Sequence, residues 1–148
     1  MTRKPSAPRR GDFPYVVAIQ TRWSDNDMFG HLNNVIYNRF FESVIVTFYR
    51  ECTPLDFFSA PVLPYVVEIV SRFKKPLTFP ETVDAALLVE DIGTRSVRFQ
   101  LALFRQGEDE ASAYCDWVHV FVDRQSERST DIPPPLRPIF ESFRKVSG

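Results

Sequence analysis

The stretch RWSDNDMFGHLNNVIY, residues 22–37, decides how the rest of the chain is interpreted. Ser, Asp, Asn and Gly crowd residues 24–33, and these residue types favour turns and helix caps over a continuing strand. The apolar residues that follow have the spacing of a helix. The stretch therefore predicts a polar loop between two regular elements, and loops of this kind often carry chemistry.

A strand is predicted before this loop and a long helix after it. Residues 15–23 alternate with the two-residue period of a half-buried strand. Residues 34–51 have helical spacing, and Pro54 ends the helix because the residue before a proline is pushed out of the helical region. One broad face of this helix collects the apolar side chains, namely Ile36, Tyr37, Phe40, Phe41, Val44, Ile45 and Phe48.

Strand-like segments joined by short turns make up most of the remaining chain. They span about 65–74, 82–92, 95–105 and 111–123, and the prolines near residue 135 leave room only for a short helix at 139–146. No helices lie between these strands, which excludes a doubly wound parallel sheet. The predicted fold class is α+β, a five-stranded antiparallel sheet wrapped around one long central helix.

Composition limits the classes of function that the chain can have. Its 148 residues and 44% hydrophobic content suit one domain with a real core. The 19 acidic and 18 basic side chains nearly cancel, which argues against nucleic acid or an anionic membrane surface as a partner. No apolar stretch approaches the roughly 20 residues that span a bilayer as a helix, so a cytoplasmic protein is expected. Cys52 and Cys115 belong to no cysteine framework and are predicted to be buried thiols.

The first residues differ in composition from the rest. Up to Asp12 they are rich in Arg, Lys and Pro and almost without apolar side chains, so little burial is available to them. Residues 1–14 are therefore predicted to be a disordered tail, and residues 15–148 a single domain.

The loop pattern resembles the signature of the hotdog-fold acyl-CoA thioesterases of the 4-hydroxybenzoyl-CoA thioesterase type. In that family a loop similar to Asp-x-Asp-x-x-Gly-His-x-Asn joins the first strand to the central helix, as Asp25, Asp27, Gly30, His31 and Asn33 would here. Residues 72–77 and 117–123 are also similar to strands of the family. The resemblance implies hydrolysis of an acyl-CoA thioester to a free acid and coenzyme A.

The resemblance places the catalytic carboxylate at Asp27, as a nucleophile or as a general base that activates water. Backbone N–H groups at the start of the helix would polarise the thioester carbonyl. Gly30 and His31 would shape the loop, since a sharp turn favours a residue without a Cβ. The residues expected around the carbonyl are Gly30, His31, Asn33, Asn34 and Val35.

Several of these residues also have simpler explanations. Asp25 fits a structural role, and Asn33 and Asn34 are good helix N-caps. His119 lies on an alternating strand and fits a sheet histidine, while Glu42 lies on the polar face of the helix without a supporting motif. Two histidines without partners at ligand spacing argue against a metal site, and no cofactor is expected.

Substrate and partner follow from the same resemblance. Exposed cations would bind the phosphates of coenzyme A, and the candidates are Arg72, Lys74, Lys75, Arg95 and Arg98. Tyr37, Phe40 or Phe41 could line the acyl chain. The family covers its exposed sheet edge with a second copy of the chain, so a homodimer or homotetramer is expected. A hydroxyacyl-thioester dehydratase and a non-catalytic acyl-CoA binder are the alternatives.

Overall fold

The structure is a computed structural model that describes residues 7–146. It confirms the predicted fold class, with one sheet and one long helix packed against it. The elements are β1 (Tyr15–Gln20), α1 (Asn34–Cys52), β2 (Val62–Phe73), β3 (Thr82–Ile92), β4 (Ser96–Arg105), β5 (Ala113–Asp123) and α2 (Leu136–Ser142), with short 3₁₀ turns at Arg10–Asp12 and Trp23–Asp25.

Element ends account for the differences from the sequence-based prediction. β1 stops at Gln20 because the loop turns early, through the 3₁₀ turn that starts at Trp23. β2 starts at Val62, earlier than predicted, and includes Pro64, which an edge strand tolerates because no partner needs its missing N–H. The last helix also lies earlier than predicted, since Pro138 falls in its first turn, where N–H groups have no helical partner.

The five strands form one antiparallel sheet in the order β1-β3-β4-β5-β2. α1 packs on one side of it, which we call the helix face, and the opposite side is the outer face. The predicted apolar stripe of α1 is confirmed, because Phe40, Phe41, Val44 and Phe48 are fully buried against that helix face. Cys115 is buried there as predicted, whereas Cys52 is only half-buried, and both thiols are free.

The segment predicted to be a tail differs where the structure describes it. Residues 1–6 of the predicted tail 1–14 lie outside the described residues. The rest packs on the outer face, where Phe13 is buried with its ring 5.9 Å from that of Phe104. Arg10 adds an ion pair with Asp84 at 3.0 Å and donates its backbone N–H to the carbonyl of Asp109 at 3.0 Å. The average composition of the segment does not reveal such specific contacts.

β2 lies at one edge of the sheet and exposes an unusual amount of apolar surface. Its partner is β5 alone, and a β-bulge interrupts the pairing after Val66. The exposed apolar side chains of this edge are Tyr65, Val66, Val67, Ile69, Val70 and Phe73. Edge strands of stable monomers are usually protected by charges or short length, and this one is twelve residues long. No helix within residues 7–146 has the length and apolar character needed to cross a bilayer.

Candidate functional site

The β1–α1 loop is fixed at its start by Asp25, which is buried. One carboxylate oxygen of Asp25 accepts from the backbone N–H of Arg22 at 2.7 Å, and the other lies 2.5 Å from the guanidinium of Arg39 on α1. The backbone carbonyl of Asp25 also accepts from the N–H of Asn33 at 3.0 Å. Asp25 therefore ties the loop to the helix, in agreement with the structural role expected of it.

Asp27, two residues further on, lies in a tight turn and is half-buried. Its N–H donates to the carbonyl of His31 at 2.7 Å, and its carbonyl accepts from the N–H of Gly30 at 3.1 Å. Gly30 has φ +81°, which a residue with a Cβ rarely adopts. Asp27 Oδ1 accepts from the N–H of Phe29 at 2.8 Å, while Oδ2 has no hydrogen-bond partner among residues 7–146.

The connection between β2 and β3 holds this turn from the other side. Leu32 donates its N–H to the carbonyl of Leu77 at 2.7 Å, and the hydroxyl of Thr78 donates to the carbonyl of Gly30 at 2.5 Å. The amide of Asn26 accepts from the N–H of Phe79 at 3.0 Å. These contacts position Asp27 although its own side chain is free on one side.

The start of α1 offers fewer free N–H groups than the sequence suggested. Asn33 is the N-cap, and its side chain accepts from the N–H of Val35 at 3.0 Å. The N–H of Asn33 is bound to Asp25 and that of Ile36 to the carbonyl of Asn33. Among the residues that the structure describes, this leaves the N–H of Asn34 without a partner, at the positive end of the helix dipole.

A pocket of about 340 Å³ brings these groups together. Its lining residues come from the loop, the first turns of α1, and the end of β2 with the three residues after it, namely Asp27, Phe29, His31, Leu32, Asn34, Tyr37, Phe73, Lys74, Lys75 and Pro76. We call it the Asp27 pocket. The side chain of His31 is exposed here, and its carbonyl rather than its ring shapes the turn.

Tyr37 is the residue of this pocket whose polar role the sequence did not indicate. Its hydroxyl oxygen accepts from the backbone N–H of Leu77 at 3.2 Å, and its own proton has no acceptor among the described residues. Burial raises the pKa of Tyr37, so the hydroxyl remains a donor at neutral pH. The sequence predicts Tyr37 only as apolar lining, because its position on the buried stripe does not indicate which groups its hydroxyl contacts.

The predicted phosphate-binding cations do not all meet at the Asp27 pocket. Lys74 and Lys75 line it, although Lys75 also pairs with Glu110 at 3.0 Å. Arg72 lies on the outer face, 3.8 Å from Asp116 and over the ring of Tyr114.

The two remaining cations lie further away in the same chain. Arg98 alternates with the buried residues of β4 and so lies on the outer face. Arg95 pairs with Asp131 beside the β3–β4 turn, at the end of the sheet opposite to the loop. Spacing along the sequence could not show this, because strands carry neighbouring residues to opposite faces.

Glu42 and His119 lie away from Asp27. Both line a second pocket, further along α1. His119 is buried there and both of its ring nitrogens form hydrogen bonds, as expected of a sheet histidine. No set of three or more His, Cys, Asp or Glu side chains within residues 7–146 gathers as metal ligands would.

Comparisons with known proteins bear on this architecture. A protein from Pseudomonas aeruginosa superposes with a TM-score of 0.91 at 36% identity, over 97% of this chain and 100% of its own. A gentisyl-coenzyme A thioesterase has a TM-score of 0.76 at 20% identity, over 85% of this chain and 99% of its own. A Thermus thermophilus thioesterase complexed with coenzyme A and Zn has a TM-score of 0.74 at 20% identity, over 86% and 98%. No match was found among curated proteins.

The fold and the loop together define a hotdog-fold protein of the thioesterase type, as the sequence resemblance implies. The model of the thioesterase-like superfamily matches residues 21–140, which includes the loop, α1, all strands after β1 and most of α2. The chain belongs to the thioesterase-like superfamily.

Proposed function

We propose that the protein hydrolyses an acyl-CoA thioester to a free acid and coenzyme A, with Asp27 as the reacting carboxylate. One observation carries the proposal, which is the combination of groups in the Asp27 pocket. Asp27, which keeps one carboxylate oxygen without a partner among residues 7–146, lines the same pocket as Asn34, whose N–H is free, and Tyr37, whose hydroxyl can donate. Membership of the thioesterase-like superfamily supports thioester hydrolysis as the reaction class.

The carboxylate can act in two ways on a thioester. As a nucleophile, Oδ2 of Asp27 forms a bond to the carbonyl carbon while the C–S bond breaks, and water then hydrolyses the resulting anhydride. As a general base, Asp27 takes a proton from water, whose oxygen attacks the carbonyl carbon directly. In both routes the thiolate leaves as coenzyme A and takes up a proton, and Asp27 ends ionised.

Both routes place negative charge on the carbonyl oxygen, and the pocket offers two donors for it. The N–H of Asn34 is aligned with the dipole of a 19-residue helix, and the hydroxyl of Tyr37 keeps a proton to donate. The predicted polarising group near Asn33, Asn34 and Val35 thus narrows in our proposal to Asn34, because the neighbouring N–H groups are already bound.

For the coenzyme A portion we propose Lys74 as the main cation of this chain at the pocket. It is exposed, lines the pocket, and forms no ion pair with the described residues, unlike Lys75. The similar Thermus thermophilus thioesterase is complexed with coenzyme A, which supports this ligand for the fold.

We further propose that the active form is a homodimer, formed at the β2 edge. The six exposed apolar side chains of that strand and its unpaired backbone support an interface between copies at this edge. Phe73 at its end lines the Asp27 pocket, so the second copy would lie beside the site. Sedimentation equilibrium measures the molecular mass directly.

A dehydratase receives no support from the geometry. It would need a histidine and a helix carboxylate that are free to act in one site. Glu42 and His119 share the second pocket, but both ring nitrogens of His119 are engaged in hydrogen bonds with Tyr49 and Trp117. A non-catalytic binder remains an outcome of the test below.

The test is thiol release from a panel of acyl-CoAs by the wild type and by Asp27→Asn. The amide keeps an oxygen for the N–H of Phe29 but can neither attack nor take a proton, so we expect turnover to fall by about 10²- to 10⁴-fold. The free energy of unfolding should change by less than about 0.5 kcal/mol.

Asp56→Asn is the matched control, because Asp56 accepts from the N–H two residues on, at 2.9 Å, in the same kind of turn but outside this pocket. It should leave turnover unchanged. Full activity of Asp27→Asn would remove Asp27 from its role. A wild type that binds coenzyme A esters and releases no thiol would identify a binder instead.

A further inference from the structure

A second pocket, of about 280 Å³, opens between the middle of α1 and β2. Glu42, Val46 and Val66 form its mouth, which is exposed in the single chain and lies beside the β2 edge where the homodimer is proposed. Tyr49, Trp117 and His119 form its floor and are almost completely buried, with exposed fractions of 0%, 3% and 4%. We call it the Tyr49 pocket. The remaining lining, Ile45, Phe57, Pro64 and Ile69, is apolar.

The three floor residues form a chain of hydrogen bonds. The indole N–H of Trp117 donates to Nε2 of His119 at 3.0 Å, and Nδ1 of His119 lies 3.0 Å from the hydroxyl of Tyr49. An indole nitrogen can only donate, so Nε2 must be without a proton. Burial lowers the pKa of His119 to about 4, so the ring is neutral and its single proton is on Nδ1.

This tautomer determines what Tyr49 can do. Nδ1 of His119 donates, so the hydroxyl oxygen of Tyr49 is the acceptor in their hydrogen bond. The proton of Tyr49 then has no acceptor among residues 7–146, although the residue is completely buried. Burial also raises the pKa of Tyr49 well above its usual range, so the proton stays on the oxygen. An unpaired buried donor is costly, and a ligand acceptor would satisfy it.

The charge of the lining restricts that ligand. Among the described lining residues Glu42, at the mouth, is the ionised group, and no Lys or Arg is present. An anionic ligand would meet a carboxylate and find no cation to pair with, at a floor that excludes water. The acceptor should therefore be an uncharged oxygen.

We propose that the Tyr49 pocket binds an apolar organic group that carries an uncharged oxygen acceptor, to which the hydroxyl of Tyr49 donates a hydrogen bond. A carbonyl, ether or hydroxyl oxygen would serve. Apolar walls bind the body of the group, and the single donor at the floor selects the oxygen. Because Tyr49 is 0% exposed, the side chains at the mouth must shift as the group enters before its oxygen contacts the hydroxyl.

The pocket also bears on the substrate. Tyr37 in the Asp27 pocket and Ile45 in the Tyr49 pocket lie eight residues apart on α1, about 12 Å along the helix. On the helix face of β2, Phe73 lines the Asp27 pocket and Ile69, four residues earlier, lines the Tyr49 pocket. The two pockets therefore lie side by side along both α1 and β2. If the bound group is the acyl portion of the thioester, the acyl chain contains a second oxygen atom at a distance from the reacting carbonyl. That assignment rests on the proposed function, whereas binding in the pocket does not.

The test uses three small probes and no hydrolysis, so its failure is separate from that of Asp27→Asn. Acetophenone has a carbonyl oxygen, α-methylstyrene has a CH₂ in the same place, and benzoate is charged. Dissociation constants are measured by NMR titration of the wild type and Tyr49→Phe, following the ring signals of His119. We expect Tyr49→Phe to weaken acetophenone about tenfold and to change α-methylstyrene by less than about twofold.

Equal weakening of both neutral probes, no effect on acetophenone, or no binding of acetophenone at the His119 ring would overturn the proposal. Benzoate bound as tightly as acetophenone would overturn the uncharged class. A second measurement does not depend on the variant folding. The ¹⁵N shifts of His119 in the wild type should show the proton on Nδ1, and a proton on Nε2 would remove the free donor of Tyr49 and with it the proposal.

Discussion

The Asp27 pocket and the Tyr49 pocket lie beside the same helix and each contains a buried tyrosine, yet they differ in charge. In the first, Tyr37 stands near a carboxylate and two lysines. In the second, Tyr49 is hydrogen-bonded to a neutral histidine, which is in turn bonded to an indole. In both, the hydroxyl oxygen accepts a hydrogen bond from the protein and the proton is left over.

In our proposals, one type of side chain therefore has two different functions. A spare donor beside a reacting carboxylate can stabilise charge that develops during a reaction. A spare donor at an uncharged floor with apolar walls can only select a ligand by its oxygen. The partner groups, rather than the tyrosines, therefore distinguish the proposed reaction site from the proposed binding site.

The largest expected difference between the two pockets is the effect of acid on folding stability, which should act through His119 in the Tyr49 pocket. Its pKa is lowered by burial to about 4 from an unfolded value of about 6.5. Between these values the unfolded chain binds a proton that the folded chain does not. The contribution of neutral His119 to stability is therefore fully present above pH 6.5 and is lost as the pH falls toward 4. The expected loss is about 3 kcal/mol, measured by urea unfolding at several pH values.

Two variants isolate this contribution. His119→Gln should flatten the dependence between pH 6.5 and 5, where few carboxylates titrate. His31→Gln, at the exposed histidine of the Asp27 pocket, is the matched control and should retain the slope of the wild type. An unchanged slope in His119→Gln would show that the neutral floor of the Tyr49 pocket has been misassigned.

Tyr37→Phe tests the Asp27 pocket, with an effect of intermediate size. Loss of the donor should lower kcat about tenfold for every acyl-CoA, with KM nearly unchanged, because the hydrogen bond strengthens only as charge develops. Tyr37→Phe also leaves the N–H of Leu77 without its acceptor, so stability should fall by about 1 kcal/mol. A loss of stability with kcat intact would make Tyr37 a purely structural residue and would end the comparison of the two tyrosines.

Lys74→Gln should have the smallest effect and should act on binding alone. Removing one exposed cation from the mouth of the Asp27 pocket should raise KM for acyl-CoA about threefold, with kcat unchanged. The increase should diminish with added salt. Lys75→Gln is the control, since Lys75 is already paired with Glu110 and should matter less. A larger effect of Lys75 would reverse this assignment.

The sequence predicted the fold well because its signals are local. Alternation in the strands, helical spacing after residue 33 and the turn-forming loop each depend on neighbouring residues, and all agree with one architecture. The motif also assigns different roles to the two loop carboxylates, a structural role to Asp25 and a catalytic role to Asp27, and the catalytic role stays a prediction. The structure adds that Asp25 is buried against Arg39, a contact across fourteen residues.

Long-range placement limited the prediction of the site. The five candidate cations were chosen by charge and by proximity to turns, but β2 and β4 carry Arg72 and Arg98 to the outer face. The register that decides this depends on pairing between distant strands. The free N–H groups of the helix start were likewise overcounted, since the bond from Asn33 to Asp25 forms only in the folded loop.

The sequence by itself determined the class of fold, the family resemblance, the polar loop before α1 and the candidate carboxylate, because all are expressed in periodicity and in a contiguous motif. Only the tertiary structure decided the rest. It determines which donors stay free at the start of α1 and that Lys74 lines the Asp27 pocket. It also brings Tyr49 into contact with His119, 70 residues later in the sequence. Hydrogen-bond partners are set by distances in space, and a residue's type states only what it can donate or accept.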